Sequence, residues 1–216
     1  KNILPAPKKL SRGHHAAMPY KKVPEFVSRL RAHPSLSARA LELLILTAAR
    51  TGEVVKMEWP EVDFDAAVWT VPAERMKANR VHRVPLSTRA LDILKELHAA
   101  RTGRFVFPGE QRRKTDSKTE KSLSNMSLAM LLRRLETDVT AHGFRSSFRD
   151  WAGDCTSFPR ELAEASLAHR VGDATELAYR RSDAIERRRA LMTAWCDYCL
   201  SHSSQAPAAN PQEAAR

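Results

Sequence analysis

Arg50, Lys77, His142, Arg145, His169 and Tyr179 are the side chains of this sequence whose types can do chemistry together. Guanidinium and ammonium groups bind phosphate oxygens and hold charge as it builds there. Imidazoles exchange protons near neutral pH. A phenol, with a pKa of about 10, attacks phosphorus once cations stabilise its phenolate and a base takes its proton. Each residue also has a plainer reading. Arg50 precedes Thr51-Gly52 and reads as a cation at the end of an apolar helix, with Glu53 close enough to orient it in a bidentate contact. Lys77 reads as a solvated turn lysine, with Arg80 and Arg83 as competitors for any anion. His169 reads as a helix cap before Gly172, and Tyr179 as an amphipathic core-edge residue. In His142-Gly143-Phe144-Arg145, residues three apart at a helix start share a face and can address one anion, while Phe144 and Phe148 turn to the core.

The elements that must position these groups are mostly helical. Pro24 suits a first helical turn, and Phe26, Val27 and Leu30 share a face. Ser37 is placed to cap a second helix, whose stripe of Leu41, Leu44, Ile45 and Ala48 ends near Arg50 at the Thr51-Gly52 break. Alternation over 62–71, with a turn at Asp65, and over 81–86 predicts a small antiparallel sheet of two or three strands with Lys77 in the connecting tip. Ser87 or Thr88 opens a helix to about Arg101, and a further helix spans 124–136. Others run from near His142 through Trp151, from Pro159 to about Ala168, and through Tyr179. Asp183 with Glu186 resembles a capping box for a last helix to about Leu200, whose Ile185, Met192, Trp195 and Cys199 form an apolar stripe. The fold class is α+β, mostly helical, with a small antiparallel β-sheet.

With 216 residues and 43% hydrophobic content, the chain can bury one good core. Its 36 Lys+Arg against 25 Asp+Glu leave +11, which favours a polyanionic partner. The sequence has no apolar run near the roughly 20 residues that span a bilayer, so nucleic acid is preferred to a membrane as partner. Residues 1–19, rich in Pro, Lys and His, read as a linker from an upstream region, 20–200 as one folded domain and 201–216 as a disordered tail. The basic stretch 109–122 reads as a solvated loop able to touch a phosphate backbone. Cys196 and Cys199 form a CxxC with no second pair and no histidine pair nearby, so packing outweighs metal or redox chemistry.

The local boxes, taken in order, resemble the catalytic domain of phage-type tyrosine recombinases, in particular integrases of genomic islands and prophages. The matching stretches are Ala49-Arg50-Thr51-Gly52-Glu53, Arg75-Met76-Lys77 with His82-Arg83-Val84-Pro85-Leu86-Ser87, His142-Gly143-Phe144-Arg145, Leu167-Ala168-His169 and Ala178-Tyr179-Arg180-Arg181. The resemblance implies a site-specific recombinase that cuts and rejoins DNA through a 3′-phosphotyrosine ester. It assigns Tyr179 as nucleophile, Arg50, Arg145 and His169 to the nonbridging oxygens, Lys77 to the leaving 5′-oxygen and His142 to proton transfer, with Glu53 in support. Arg80, Arg83 and Arg180 become DNA contacts. It implies no cofactor and no metal, double-stranded attachment sites as partners, a tetramer on DNA, accessory DNA-bending or excision factors, and a nucleoid location in a bacterial cytoplasm. The family's upstream DNA-binding domains have no counterpart in this sequence. Two other functions fit part of the pattern: type IB topoisomerase-like relaxation, and DNA binding without catalysis.

Overall fold

The computed structural model describes residues 16–109, 120–169 and 184–201. After a 3-10 turn at Tyr20–Lys22, the chain runs through α1 (Val23–Ala32), α2 (Leu36–Thr47) and α3 (Thr51–Val55). It continues into β1 (Val62–Asp63), β2 (Val68–Val71) and β3 (His82–Pro85), then α4 (Thr88–Ala99) and α5 (Asn125–Arg134). A 3-10 turn at Ala141–Gly143 leads into α6 (Phe144–Cys155), followed by α7 (Arg160–Ser166) and α8 (Ile185–Leu200).

α2 is the hub. Residues from Ala38 to Thr47, Arg39 excepted, are buried along it, and α1, α3, α4, α5, α6 and α8 pack around it. A helix apolar on all sides belongs inside a protein. Its one carboxylate, Glu42, is fully buried and is held by Arg39 at 2.9 Å, Arg89 at 2.8 Å and Arg31 at 3.7 Å. Three cations offset the desolvation that would otherwise expel such a group.

The strands form one antiparallel sheet in the order β1-β2-β3. The β2–β3 register, Trp69 opposite Val84 and Val71 opposite His82, puts Trp69, Val71 and Val84 on one face, buried in the core. The expected turn at Asp65 is shaped by Asp63 instead, whose Oδ1 accepts the Ala66 N–H at 2.8 Å, with Ala67 left-handed at φ 52°.

Several expected boundaries shift for local reasons. Ser35, not Ser37, caps α2: its Oγ accepts the Ala38 N–H at 3.2 Å. α2 stops at Thr47 because Ala48 is left-handed (φ 49°), so Arg50 does not close that helix but stands as N-cap of α3. His142 lies in the 3-10 turn, braced by the Thr140 hydroxyl accepting from the Gly143 N–H, and the α-helix starts only at Phe144. Pro159 is the N-cap of α7, and α7 ends short of left-handed Ala168.

The last helix is covered by its own chain. Arg188, Leu191, Met192, Trp195, Cys196 and Cys199 are buried where α8 meets α1, α2, α7 and β3, and Trp195 donates its indole N–H to the Ile45 carbonyl at 2.8 Å. Ile185, expected in the stripe, is only half-buried. The capping role expected of Asp183 falls outside the described residues, as do the helix through Tyr179, residues 1–15 of the expected linker, 110–119 of the basic loop and 202–216 of the tail.

Candidate active site

Arg145 is the centre of the described site. Only 4% exposed, it reaches from the first turn of α6 to two carbonyls distant in sequence. One terminal nitrogen donates to the Ala48 carbonyl and the other to the Leu167 carbonyl at 2.5 Å. Ala48 lies just past the end of α2 and Leu167 at the C-cap of α7, so the guanidinium sits where two helices present their electronegative ends. That is why a buried arginine is tolerated. Even so, burial, with the charge of Arg50 beside it, brings its pKa down from the ordinary 12.5 to about 10; Glu53 and Glu164 oppose the fall, and Arg145 stays charged at neutral pH.

Arg50 faces the same place from the start of α3. Its guanidinium meets Glu53 Oε1 at 2.8 Å, while the other carboxylate oxygen accepts the Arg50 backbone N–H at 2.9 Å. The expected bidentate contact is therefore split: one oxygen aims the side chain and the other fixes the backbone that carries it. Glu53 is buried, whereas the Arg50 side chain keeps 25% exposure and so reaches both interior and solvent.

His169 completes the group. Its Nε2 lies 3.2 Å from Arg145 Nη2, and its Nδ1 lies 2.7 Å from Glu164 Oε2. An arginine can only donate, so this pairing selects the tautomer with the proton on Nδ1. Glu164 also pairs with Arg149 at 2.7 Å and with Arg160 at 3.7 Å. Burial works against its ionisation, but the bonds from His169 and Arg149 hold its pKa below the usual carboxylate value. The backbone repeats the link: Ala168 is left-handed at φ 51°, and the His169 N–H reaches back to the Glu164 carbonyl at 2.9 Å. Such a reversal closes a helix C-terminus and turns the next side chain back over it.

Two members of the site went unassigned in the sequence. Glu164 stands five residues before His169, which is no helical spacing, so no pattern flags it. His82, half-buried on β3, lies among Arg188, Arg145 and Arg50; burial first, then those cations, push its pKa down to about 3, with the Ser166 backbone opposing. In the sequence it opens one of the stretches that carry the family resemblance, but no role was assigned to it.

The remaining expected residues fall into two groups. Lys77 and Arg80 are exposed in the β2–β3 connection, Arg83 is exposed on β3, and His142 is exposed before α6. Tyr179 and Arg180 lie outside the described residues. Cys196 and Cys199 are free and buried, and no metal-holding group of His, Cys, Asp or Glu occurs among the described residues. No described helix is long and apolar enough to cross a membrane.

Two arginines, one buried and one half-exposed, can bind and polarise a phosphodiester, with His169 accepting from the buried one. Residues 18–184 match the phage integrase family. The chain belongs to that family. It is 36% identical over 181 residues to the prophage integrase IntA of Escherichia coli K12, covering 82% of this chain and 42% of that protein. To the integrase of Enterobacteria phage P4 it is 30% identical over 205 residues, covering 86% and 45%. The chain thus spans less than half the length of these relatives. Among solved structures, the integrase of mycobacterium phage Brujita superposes with a TM-score of 0.61 at 18% identity, over 86% of this chain and 59% of that one. A lambda integrase dimer bound to a core site superposes with a TM-score of 0.53 at 17% identity, over 75% and 60%. These structures share the α+β catalytic fold of tyrosine recombinases, with its small antiparallel sheet.

Proposed function

We propose that this member of the phage integrase family is the catalytic part of a site-specific DNA recombinase, acting through a phosphotyrosine ester on Tyr179. The observation that carries the reading is the buried Arg145, held by the Ala48 and Leu167 carbonyls beside Arg50 and His169. A guanidinium fixed before substrate arrives pays no reorganisation when charge builds on a nonbridging oxygen.

In the proposed step the Tyr179 oxygen bonds to phosphorus and the P–O5′ bond breaks. The phenol proton passes to a base, for which exposed His142 is the candidate. A proton from Lys77 arrives on the leaving 5′-oxygen. Arg50 and Arg145 stabilise the nonbridging oxygens between these events, and His169 adds a hydrogen bond there when Nε2 gives up its contact with Arg145 and carries a proton. The ester keeps the energy of the broken bond, so rejoining to a new 5′-hydroxyl needs no ATP. Arg80, Arg83 and Arg180 serve as contacts to the DNA backbone. The proposed substrate is a pair of double-stranded attachment sites of a mobile element at the bacterial nucleoid, engaged by a tetramer with accessory DNA-bending or excision factors.

The test is a nicked suicide duplex carrying the element's own junction. The unaltered chain is expected to form a denaturation-resistant DNA adduct, and Tyr179→Phe to abolish it while DNA binding persists. An adduct that survives Tyr179→Phe moves the nucleophile elsewhere. Exchange between two duplexes, rather than resealing of one, separates recombination from relaxation.

A further inference from the structure

The loop that carries Lys77 is tied at its root to the helix that begins with Arg50. Arg75 closes the 3-10 turn Ala73–Arg75 and is two residues from Lys77. Its Nη1 donates to the Lys56 carbonyl at 2.5 Å and to the Glu53 carbonyl at 3.3 Å, at the C-terminal end of α3. Its Nη2 pairs with Glu61 Oε2, the same oxygen that accepts the Trp69 indole N–H at 3.0 Å. Burial pushes the Glu61 pKa up, against the pull of Trp69 and Arg75. One guanidinium thus links α3, the approach to β1, strand β2 and the loop.

α3 is five residues long; the turn after it bonds the Val54 carbonyl, from Met57 at 3.0 Å, and leaves those of Glu53 and Lys56 to Arg75. Arg75 supplies the missing donors through a planar fork, which sets direction as well as distance. Met76, next in sequence, is 6% exposed and pins the chain into the core. The Asn79 N–H then bonds back to the Met76 carbonyl at 2.9 Å, and Asn79 takes the left-handed conformation (φ 48°). Lys77 therefore leaves a fixed base as an exposed side chain on a short turn.

We propose that Arg75 is a positioning residue for Lys77, holding the Lys77 loop in register with the Arg50–Glu53 end of α3 so that the ammonium reaches the leaving oxygen. The inference rests on the reading of Lys77 as the proton donor to that oxygen. Both terminal nitrogens of Arg75 go to groups of this chain, the Glu53 and Lys56 carbonyls and Glu61, which is the pattern of a tie between elements.

The experiment compares two suicide duplexes that differ at one atom, with oxygen or sulfur bridging phosphorus to C5′ at the scissile bond. A thiol with a pKa of about 8.5 leaves as thiolate and needs no proton, so the sulfur substrate bypasses the Lys77 step. With the oxygen substrate, Arg75→Gln and Arg75→Lys should slow single-turnover adduct formation by about 10- to 100-fold, the range of a misplaced catalytic group. With the sulfur substrate both should return close to the unaltered rate, as should Lys77→Ala, whereas Arg145→Ala should stay slow on both. Glu61→Gln, which keeps an acceptor for Trp69 but drops the charge facing Arg75, should show the same selective rescue with a smaller initial loss, and it serves if the Arg75 variants do not fold. If Lys77→Ala is rescued by sulfur and the Arg75 and Glu61 variants are slowed equally on both substrates, or are not slowed, the inference is overturned and Arg75 is only a strut. If Lys77→Ala itself is not rescued, the Lys77 reading falls and takes the inference with it.

Discussion

At the scale of single residues, Arg50 and Arg145 have similar proposed chemistry and different structural weight. Losing one donor to a developing oxyanion typically costs about 10²–10³ in rate. Arg50→Ala and Arg145→Ala should each lower adduct formation by that amount in single-turnover assays. Arg145→Ala should also destabilise the fold by about 1–3 kcal/mol in urea, because it strips the donors from the Ala48 and Leu167 carbonyls; Arg50→Ala should cost stability too, since among the described residues it leaves buried Glu53 only its backbone N–H partner. His82 gives a pH signature. Its folded pKa, about 3, lies below its ordinary 6.5, so between those values the unfolded chain binds the extra proton. Stability should therefore fall as pH drops from about 6.5 toward 3, by a few kcal/mol at most. The surrounding Arg188, Arg145 and Arg50 stay charged throughout, so they set the shift without titrating. His82→Gln should flatten that limb of the stability–pH curve; an unchanged slope would assign it to carboxylates such as Glu164, whose contribution is lost below the ordinary carboxylate range.

At the scale of elements, helix ends build the site. α2 ends at left-handed Ala48, α7 ends at left-handed Ala168, and α3 begins at Arg50. An L-residue in that conformation costs roughly 1–2 kcal/mol, which glycine avoids. Ala168→Gly should raise the urea midpoint by the equivalent of about 0.5–1 kcal/mol without changing the denaturant slope, since unfolded-chain entropy offsets part of the relief. The Ala168 side chain makes none of the bonds that hold His169, so a loss of stability would mean that its methyl packing outweighs the strain.

At the scale of the whole molecule, charge and clamp chemistry make a joint prediction. A formal +11 favours phosphate contacts, and binding driven by counterion release weakens as salt rises. The affinity of this chain for duplex DNA should fall steeply between about 50 and 200 mM salt in a titration, with little discrimination among sequences. Adduct formation should persist in excess EDTA, because in the proposed mechanism arginines, not a divalent cation, hold the phosphate. Strict dependence on added magnesium would defeat that mechanism.

The sequence by itself determined the α+β class, the apolar stripe of the hub helix and the antiparallel hairpin around Lys77, which follow from side-chain period and turn chemistry, local properties of the chain. Arg50, Arg145 and His169 were singled out by the order of boxes that resembles a family, not by any local pattern. The sequence placed both helix ends beside Arg145 within a few residues but concealed their left-handed stops at Ala48 and Ala168, because alanine stands where glycine or asparagine would have announced one. It did not show the partners of Arg145 either, since Ala48 is 97 residues away in sequence and Leu167 is 22. Burial of that arginine, the tautomer of His169 through Glu164, the Arg75 link under Lys77 and the covering of α8 by its own chain were decided only by tertiary structure. Each depends on backbone carbonyls or on side chains brought together from different elements, and a carbonyl has the same chemistry whichever residue carries it, so only the fold reveals which one an arginine will meet.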